Sequence, residues 1–383
     1  MKVLLSLFSL FLLLSSCKRT PAHQPMEVDP IRLSMDKYAD SLVKDPLIHG
    51  LSIGVYKDGK EYLAHYGELD PGKGNTPSNE TIYEIASVSK TFTGTLVAKA
   101  VMEGLLDLDD DIRTHMKGDY PNLEYQGHPI RVRHLLTHRA ELPKFLPMEI
   151  NVMFDTIDET LADRVFQLEN AYSREAFFED LKRIRLDTVP GTRYSYSNAD
   201  TELMAHILEN VYQKDFEGLL QTYITHPYKM RSVKVVLSEN EKKYLPNGYG
   251  IGNLKTPYMT HRLWGAGGAM KSTLPDLVHY MKFQLDIQNE LVNKSHEVLY
   301  EDQYVQTAYY WPVKKDSNDA IYYSHHGGAY GMQNWFFVFP EYNMGLSIIT
   351  NQSDLDTAGK LYETAQKILE DIPGLPENMI KLY

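Results

Sequence analysis

Tyr83-Glu84-Ile85-Ala86-Ser87-Val88-Ser89-Lys90 is the stretch on which the fold turns. A serine hydroxyl is a weak nucleophile at neutral pH and needs a neighbouring group to take its proton. Residues at i and i+3 share a helix face, so Lys90 reaches the oxygen of Ser87 if a helix runs through both. The next residues support that helix. Phe92, Leu96, Val97, Ala100 and Val101 follow helical spacing, and Gly104 stands where a C-cap belongs. The spacing alone decides nothing, because S-x-x-K also occurs at Ser15, Ser34 and Ser41. A serine opening a helix is also an ordinary N-cap.

Two later segments single out the Ser87 copy. Pro190-Gly191-Thr192-Arg193-Tyr194-Ser195-Tyr196-Ser197-Asn198 ends in Y-x-N, and Ser324-His325-His326-Gly327-Gly328-Ala329 contains H-x-G, readable from either histidine. Y-x-N recurs at Tyr120, so each motif is weak singly. In the order S-x-x-K, Y-x-N, H-x-G they resemble the serine β-lactamase and penicillin-binding protein superfamily, on its class C β-lactamase, D,D-peptidase and esterase branch. The lead-in Tyr83-Glu84-Ile85-Ala86, the acidic turn from Glu103 to Ile112 and His134-Leu135-Leu136-Thr137-His138 extend the likeness over residues 35–370.

The resemblance implies an α+β fold of β-lactamase/transpeptidase type: an antiparallel sheet flanked by helices, with an inserted mainly helical domain and a cleft between them. It implies a cofactor-free serine hydrolase that forms an acyl-enzyme on a peptide, amide or ester. Ser87 would be the nucleophile, Lys90 and Tyr196 the acid/base pair, and Asn198 the side chain holding Lys90 and the substrate amide. A phenol near its usual pKa of about 10 works as a base only beside cations such as Lys90. The backbone N–H groups of Ser87 and Ala329 would form the oxyanion hole, with Gly328 in the same strand edge and His326 where class C β-lactamases carry lysine. Histidine is largely neutral at pH 7, so this exchange weakens recognition of a substrate carboxylate. Arg139-Ala140-Glu141 is a second departure, standing where the branch shows T-S-G. Two rival functions remain: a true β-lactamase or D-Ala-D-Ala carboxypeptidase, and a non-catalytic envelope scaffold with the same fold.

Patterning along the chain agrees with a sheet built from both chain ends. Leu51–Tyr56 and Glu61–Gly67 flank Lys57-Asp58-Gly59-Lys60, a hairpin signal. Trp335–Phe339 and Met344–Thr350 flank a second turn, Pro340-Glu341-Tyr342-Asn343. Between them, Ser173 caps one helical run and Thr201–Tyr212 forms another, before the glycine-rich Trp264-Gly265-Ala266-Gly267-Gly268. The expected division is residues 31–85 and 262–383 in an α/β subdomain and 86–261 in a mainly helical one.

The N-terminus reads as an export signal. Met1-Lys2 precedes an apolar run, Val3–Leu14, too short to span a bilayer, and Leu14-Ser15-Ser16-Cys17 resembles a bacterial lipobox. The expectation is a signal peptide over 1–16, a lipidated Cys17, a proline-containing tether over 17–30, and a location on the cell envelope facing periplasm or exterior. Cys17 is the only cysteine of the chain, which rules out an intrachain disulfide. The net charge of −12 argues against nucleic-acid binding. The 14 histidines invite a metal, but no glutamate follows His134 in its pairing with His138, and Asp107, Asp109 and Asp111 lack the glycine and glutamate of a calcium loop. Both groups read as structural, and no metal site is expected.

Overall fold

The computed structural model describes residues 29–380; the signal segment and Cys17 lie outside them. Eight antiparallel strands form the main sheet. In spatial order they are Lys60–Gly67, Gly50–Lys57, Met344–Thr350, Gln333–Phe339, Ile321–Gly328, Pro312–Lys315, Gln306–Thr307 and Tyr300–Glu301. The first hairpin closes as its sequence requires. Asp58 and Gly59 take φ of 49° and 89°, the left-handed pair of a two-residue turn matched to strand twist.

Strand alternation divides the core in two. Leu51, Ile53, Val55, Leu346 and Ile348 face one side, where Met35 and Ala39 of the Pro30–Leu42 helix and Leu361, Ala365 and Ile368 of the Thr357–Glu370 helix cover them. On the opposite face, a Cβ at Gly54 would meet Val278 at 2.8 Å and Leu274 at 3.1 Å, so the Leu274–Gln284 helix packs directly on the backbone. That side continues into the larger core around the Ser89–Met102 helix, which is buried along most of its length and around its whole circumference.

Two boundaries differ from the patterning. The first helix starts at Pro30, inside the expected tether, because Asp29 accepts the N–H of Ile31 at 3.1 Å and proline suits a first helical position. Residues 248–256, placed by pattern in the helical segment, instead form a small strand pair against the end of the sheet: the Tyr249 N–H reaches Gly331 O at 3.2 Å and Asn351 O at 3.1 Å. The nine residues there, three of them glycine, form strands of only two residues each, too short to show a periodicity.

Candidate active site

Ser87 sits in a single tight turn, Ala86–Val88, that feeds the Ser89–Met102 helix. Ile85 fixes the entry through its N–H to Met270 O at 3.0 Å. Ala86 is held at φ 46°, a left-handed conformation costing an L-residue about 1 kcal/mol. The turn projects Ser87 into a cleft of about 1750 Å³.

Four of the candidate side chains meet there. Ser87 Oγ lies 3.2 Å from Lys90 Nζ and 2.9 Å from the Tyr196 hydroxyl, which donates to it. Lys90 Nζ also donates to Asn198 Oδ1 at 2.7 Å and Gly267 O at 2.5 Å. The glycine-rich loop thus supplies a carbonyl to Lys90. A Cβ at Gly267 would come 2.7 Å from Glu202 Oε1, the atom that accepts the Gly267 N–H at 2.8 Å. Lys90 is fully buried, and burial pushes its pKa down to about 7, opposed chiefly by the nearby Glu202 carboxyl. Burial moves Tyr196 the other way, up to about 12, offset in part by the Ser87 hydrogen bond and Lys144.

The third motif requires a correction. Ala329 is not free to donate to a substrate, because its N–H is taken by Met332 O at 2.8 Å across the hairpin. Hydrogen-bonded and non-bonded pairs alternate in an antiparallel ladder, so the Gly328–Gln333 pair turns its backbone away from the neighbouring strand. The N–H facing the cleft is that of Gly328. His326 is also displaced from its expected role: its Nε2 bonds Gln333 Oε1 at 2.6 Å and its ring packs on Trp335 at 4.9 Å. His325 is the histidine that feels the Lys90 charge. Gly327 confirms the register, since a Cβ there would meet Ile85 O at 2.3 Å, leaving no room for any side chain beside the nucleophile turn. The motif is therefore His325-His326-Gly327, followed by Gly328. The sequence could not choose between two overlapping readings; strand alternation did.

His325 Nδ1 lies 2.8 Å from His326 O, which can only accept, so Nδ1 carries the proton and Nε2 is an acceptor. Burial and the nearby Lys90 push its pKa down to about 3, leaving it neutral.

Several residues of the site were missed in the sequence. His138, read there as structural, packs on the Tyr196 ring at 4.5 Å, accepts the Ser195 N–H at its carbonyl (2.7 Å) and the Ser197 N–H at Nδ1 (3.3 Å). Asp200 Oδ2 approaches the same Nδ1 at 3.3 Å. With Nδ1 already accepting, that contact places the proton on Asp200, whose carboxyl burial raises well above its usual range. Glu202 lies one turn from Asn198 on the same face; the signal was masked because the helix starts at Asn198, three residues before the apolar pattern does. Across the cleft, Tyr330 donates to Glu169, which burial lifts to about 7.

Arg139 and Glu141 do more than reshape a loop. Glu141, at φ 65° where the branch has glycine, buries its side chain and pairs with Arg193. Arg139 is 4% exposed, stacks on Tyr300 at 3.3 Å and lies 3.6 Å from Asp302 Oδ2. No group of His, Cys, Asp or Glu among the described residues is arranged to hold a metal ion.

Fold and site together define the class: a serine β-lactamase and penicillin-binding protein fold, within a superfamily of serine hydrolases. A Beta-lactamase family model matches residues 35–369, and the chain belongs to that family. Protein flp of Staphylococcus aureus (strain N315) is 27% identical over 329 residues, 83% of this chain and 62% of that protein. The chain thus spans less than two thirds of the flp length. A Beta-lactamase of Providencia stuartii is 24% identical over 73% of this chain and 69% of its own. Among solved structures, a Beta-lactamase/D-alanine carboxypeptidase from Yersinia pestis superposes with a TM-score of 0.74 at 21% identity, covering 88% of this chain and 97% of that one. A class C beta-lactamase reaches 0.76 at 18% identity, over 92% of this chain and all of the other.

Proposed function

We propose that this protein is an active serine hydrolase of the bacterial envelope that forms an acyl-enzyme through Ser87 on an ester, amide or peptide. The observation that carries the reading is the hydrogen-bond set of Lys90. A neutral amine has two N–H groups and one lone pair. Asn198 Oδ1 and Gly267 O, both acceptors, take the two N–H groups, which leaves the lone pair for the Ser87 hydroxyl. A pKa near 7 makes that neutral form abundant at neutral pH.

In this reading Ser87 Oγ attacks the substrate carbonyl while its proton passes to Lys90. The tetrahedral oxyanion sits between the N–H groups of Ser87 and Gly328. Tyr196, protonated up to about pH 12, gives its proton to the leaving group as that bond breaks and recovers one from Lys90. Two titratable groups pushed apart in this way take separate acid and base roles. Water then attacks the ester by the same route in reverse, releasing the acid and Ser87. His138 and Asp200 position Tyr196 and do not touch the reacting atoms.

A neutral His325 in place of a cation favours substrates without a carboxylate beside the scissile bond. Lipid attachment at Cys17 would hold the enzyme on the membrane; among the described residues no helix is long and apolar enough to cross one. The test is intact-mass spectrometry with peptide mapping after exposure to a fluorophosphonate and, separately, to penicillin. A fluorophosphonate adduct on Ser87 is the expected result. A penicillin adduct there, with or without turnover, would shift the reading to lactam or peptidoglycan chemistry. Folded protein that takes neither label would be the scaffold.

A further inference from the structure

The cleft is far larger than a carbonyl and its four catalytic partners need, and the greater part of its wall surface is apolar. Sixteen large apolar side chains are exposed among the described residues, and seven of them line this one cleft: Phe154, Ile157, Tyr194, Leu254, Tyr304, Val305 and Leu355. Tyr304 is 83% exposed and Leu355 69%. Scattered exposed apolar residues need no explanation, but seven of them gathered around the one cleft that holds the serine do. They come from segments remote in sequence, so neither helix nor strand periodicity accounts for them.

The walls are also held in place. Arg139, buried between Tyr300 and Asp302, ties the hairpin that presents Tyr304 and Val305 to the loop behind Tyr196. Within that hairpin Asp302 N–H closes on Val305 O at 3.0 Å. Elsewhere in the lining Phe145 and Phe154 stack at 5.2 Å, with Lys144 lying over both rings.

We infer that the substrate carries a long or bulky apolar group beside the scissile carbonyl, and that these walls form its subsite. The inference rests on the acyl-transfer reading of Ser87. It names the substrate class as apolar esters or amides, with binding driven by water removed from the rim. Arg139 is a specificity residue acting through the hairpin it fixes.

Two ester series test this, at concentrations below micelle formation: one lengthens the acyl chain with a constant alcohol, the other lengthens the alcohol with a constant acyl group. In at least one series kcat/KM is expected to rise by about 4-fold per methylene over several carbons, the worth of about 0.8 kcal/mol per buried CH₂. Tyr304→Ser with Leu254→Ser should lower the long-chain value by about 10-fold and the acetate value by less. Flat or falling profiles in both series, with Ser87 labelled by fluorophosphonate, would overturn the inference and leave the acyl-transfer reading standing. Calorimetric binding of the longest and shortest esters to Ser87→Ala separates the two questions, because it needs no turnover. Tighter binding of the long ester supports the subsite even in a protein that does no chemistry, and equal binding removes it.

Discussion

Lys90 and Lys271 are both buried lysines, 0% and 3% exposed, and burial lowers the pKa of each. Their surroundings differ in one respect. Lys271 Nζ donates to three carbonyls, Ala269 O at 2.8 Å, Val235 O at 3.2 Å and Met259 O, with the buried carboxyl of Glu84 close by. Three acceptors that cannot donate require three N–H groups, hence an ammonium. Lys90 has two such acceptors and a serine hydroxyl, which donates or accepts as needed. Burial alone therefore does not make a base. The third partner decides whether a lysine holds a loop together or takes a proton.

The comparison breaks most sharply on substitution. Ser87→Ala and Lys90→Met should each lower ester hydrolysis by about 10⁴-fold, the loss seen when a nucleophile or its base is removed. Lys271→Met should lose little kcat/KM per folded molecule. Its loss of stability should be about 3 kcal/mol, because Glu84 is left buried without its cation, read by urea denaturation. Failure of folded Lys271→Met to acylate would erase the distinction between the two lysines.

Tyr196→Phe comes next. Without the leaving-group proton donor, amide hydrolysis should fall by about 10²-fold or more, while an ester with a good leaving group is spared most of that loss. Equal losses on both would remove Tyr196 from the acid role.

The pH profile sharpens the same contrast. Charged Lys90 cannot accept a proton, so the rate of Ser87 labelling should climb about tenfold per pH unit below the Lys90 pKa and level off above it. The turning point is expected at about 7. Asn198→Asp places a carboxylate against Nζ, favours the ammonium and should move the turning point up by about one unit or more. An unmoved profile would assign the titration to another group. The smallest effect tests the strand register: His325→Ala should cost about tenfold, one buried hydrogen bond's worth, and more than His326→Ala. The reverse order would return His326 to the site.

What the chain states by itself is whatever depends on local spacing. Asp58-Gly59 forced the first hairpin, Ser173 capped its helix, and i, i+3 spacing put Lys90 beside Ser87. The three motifs in order were enough to indicate an α+β serine hydrolase fold, as the family match and the structural neighbours now show. Tertiary structure decided the rest, because those features depend on which groups meet across the fold. Only the strand alternation made His325 and Gly328, rather than His326 and Ala329, the residues beside Ser87. Only chain packing brought Gly267 O to Lys90 and His138 under Tyr196, joining residues 177 and 58 positions apart. A proton's position depends on solvent exclusion and on the full set of acceptors around it, and neither is written in any short stretch of sequence.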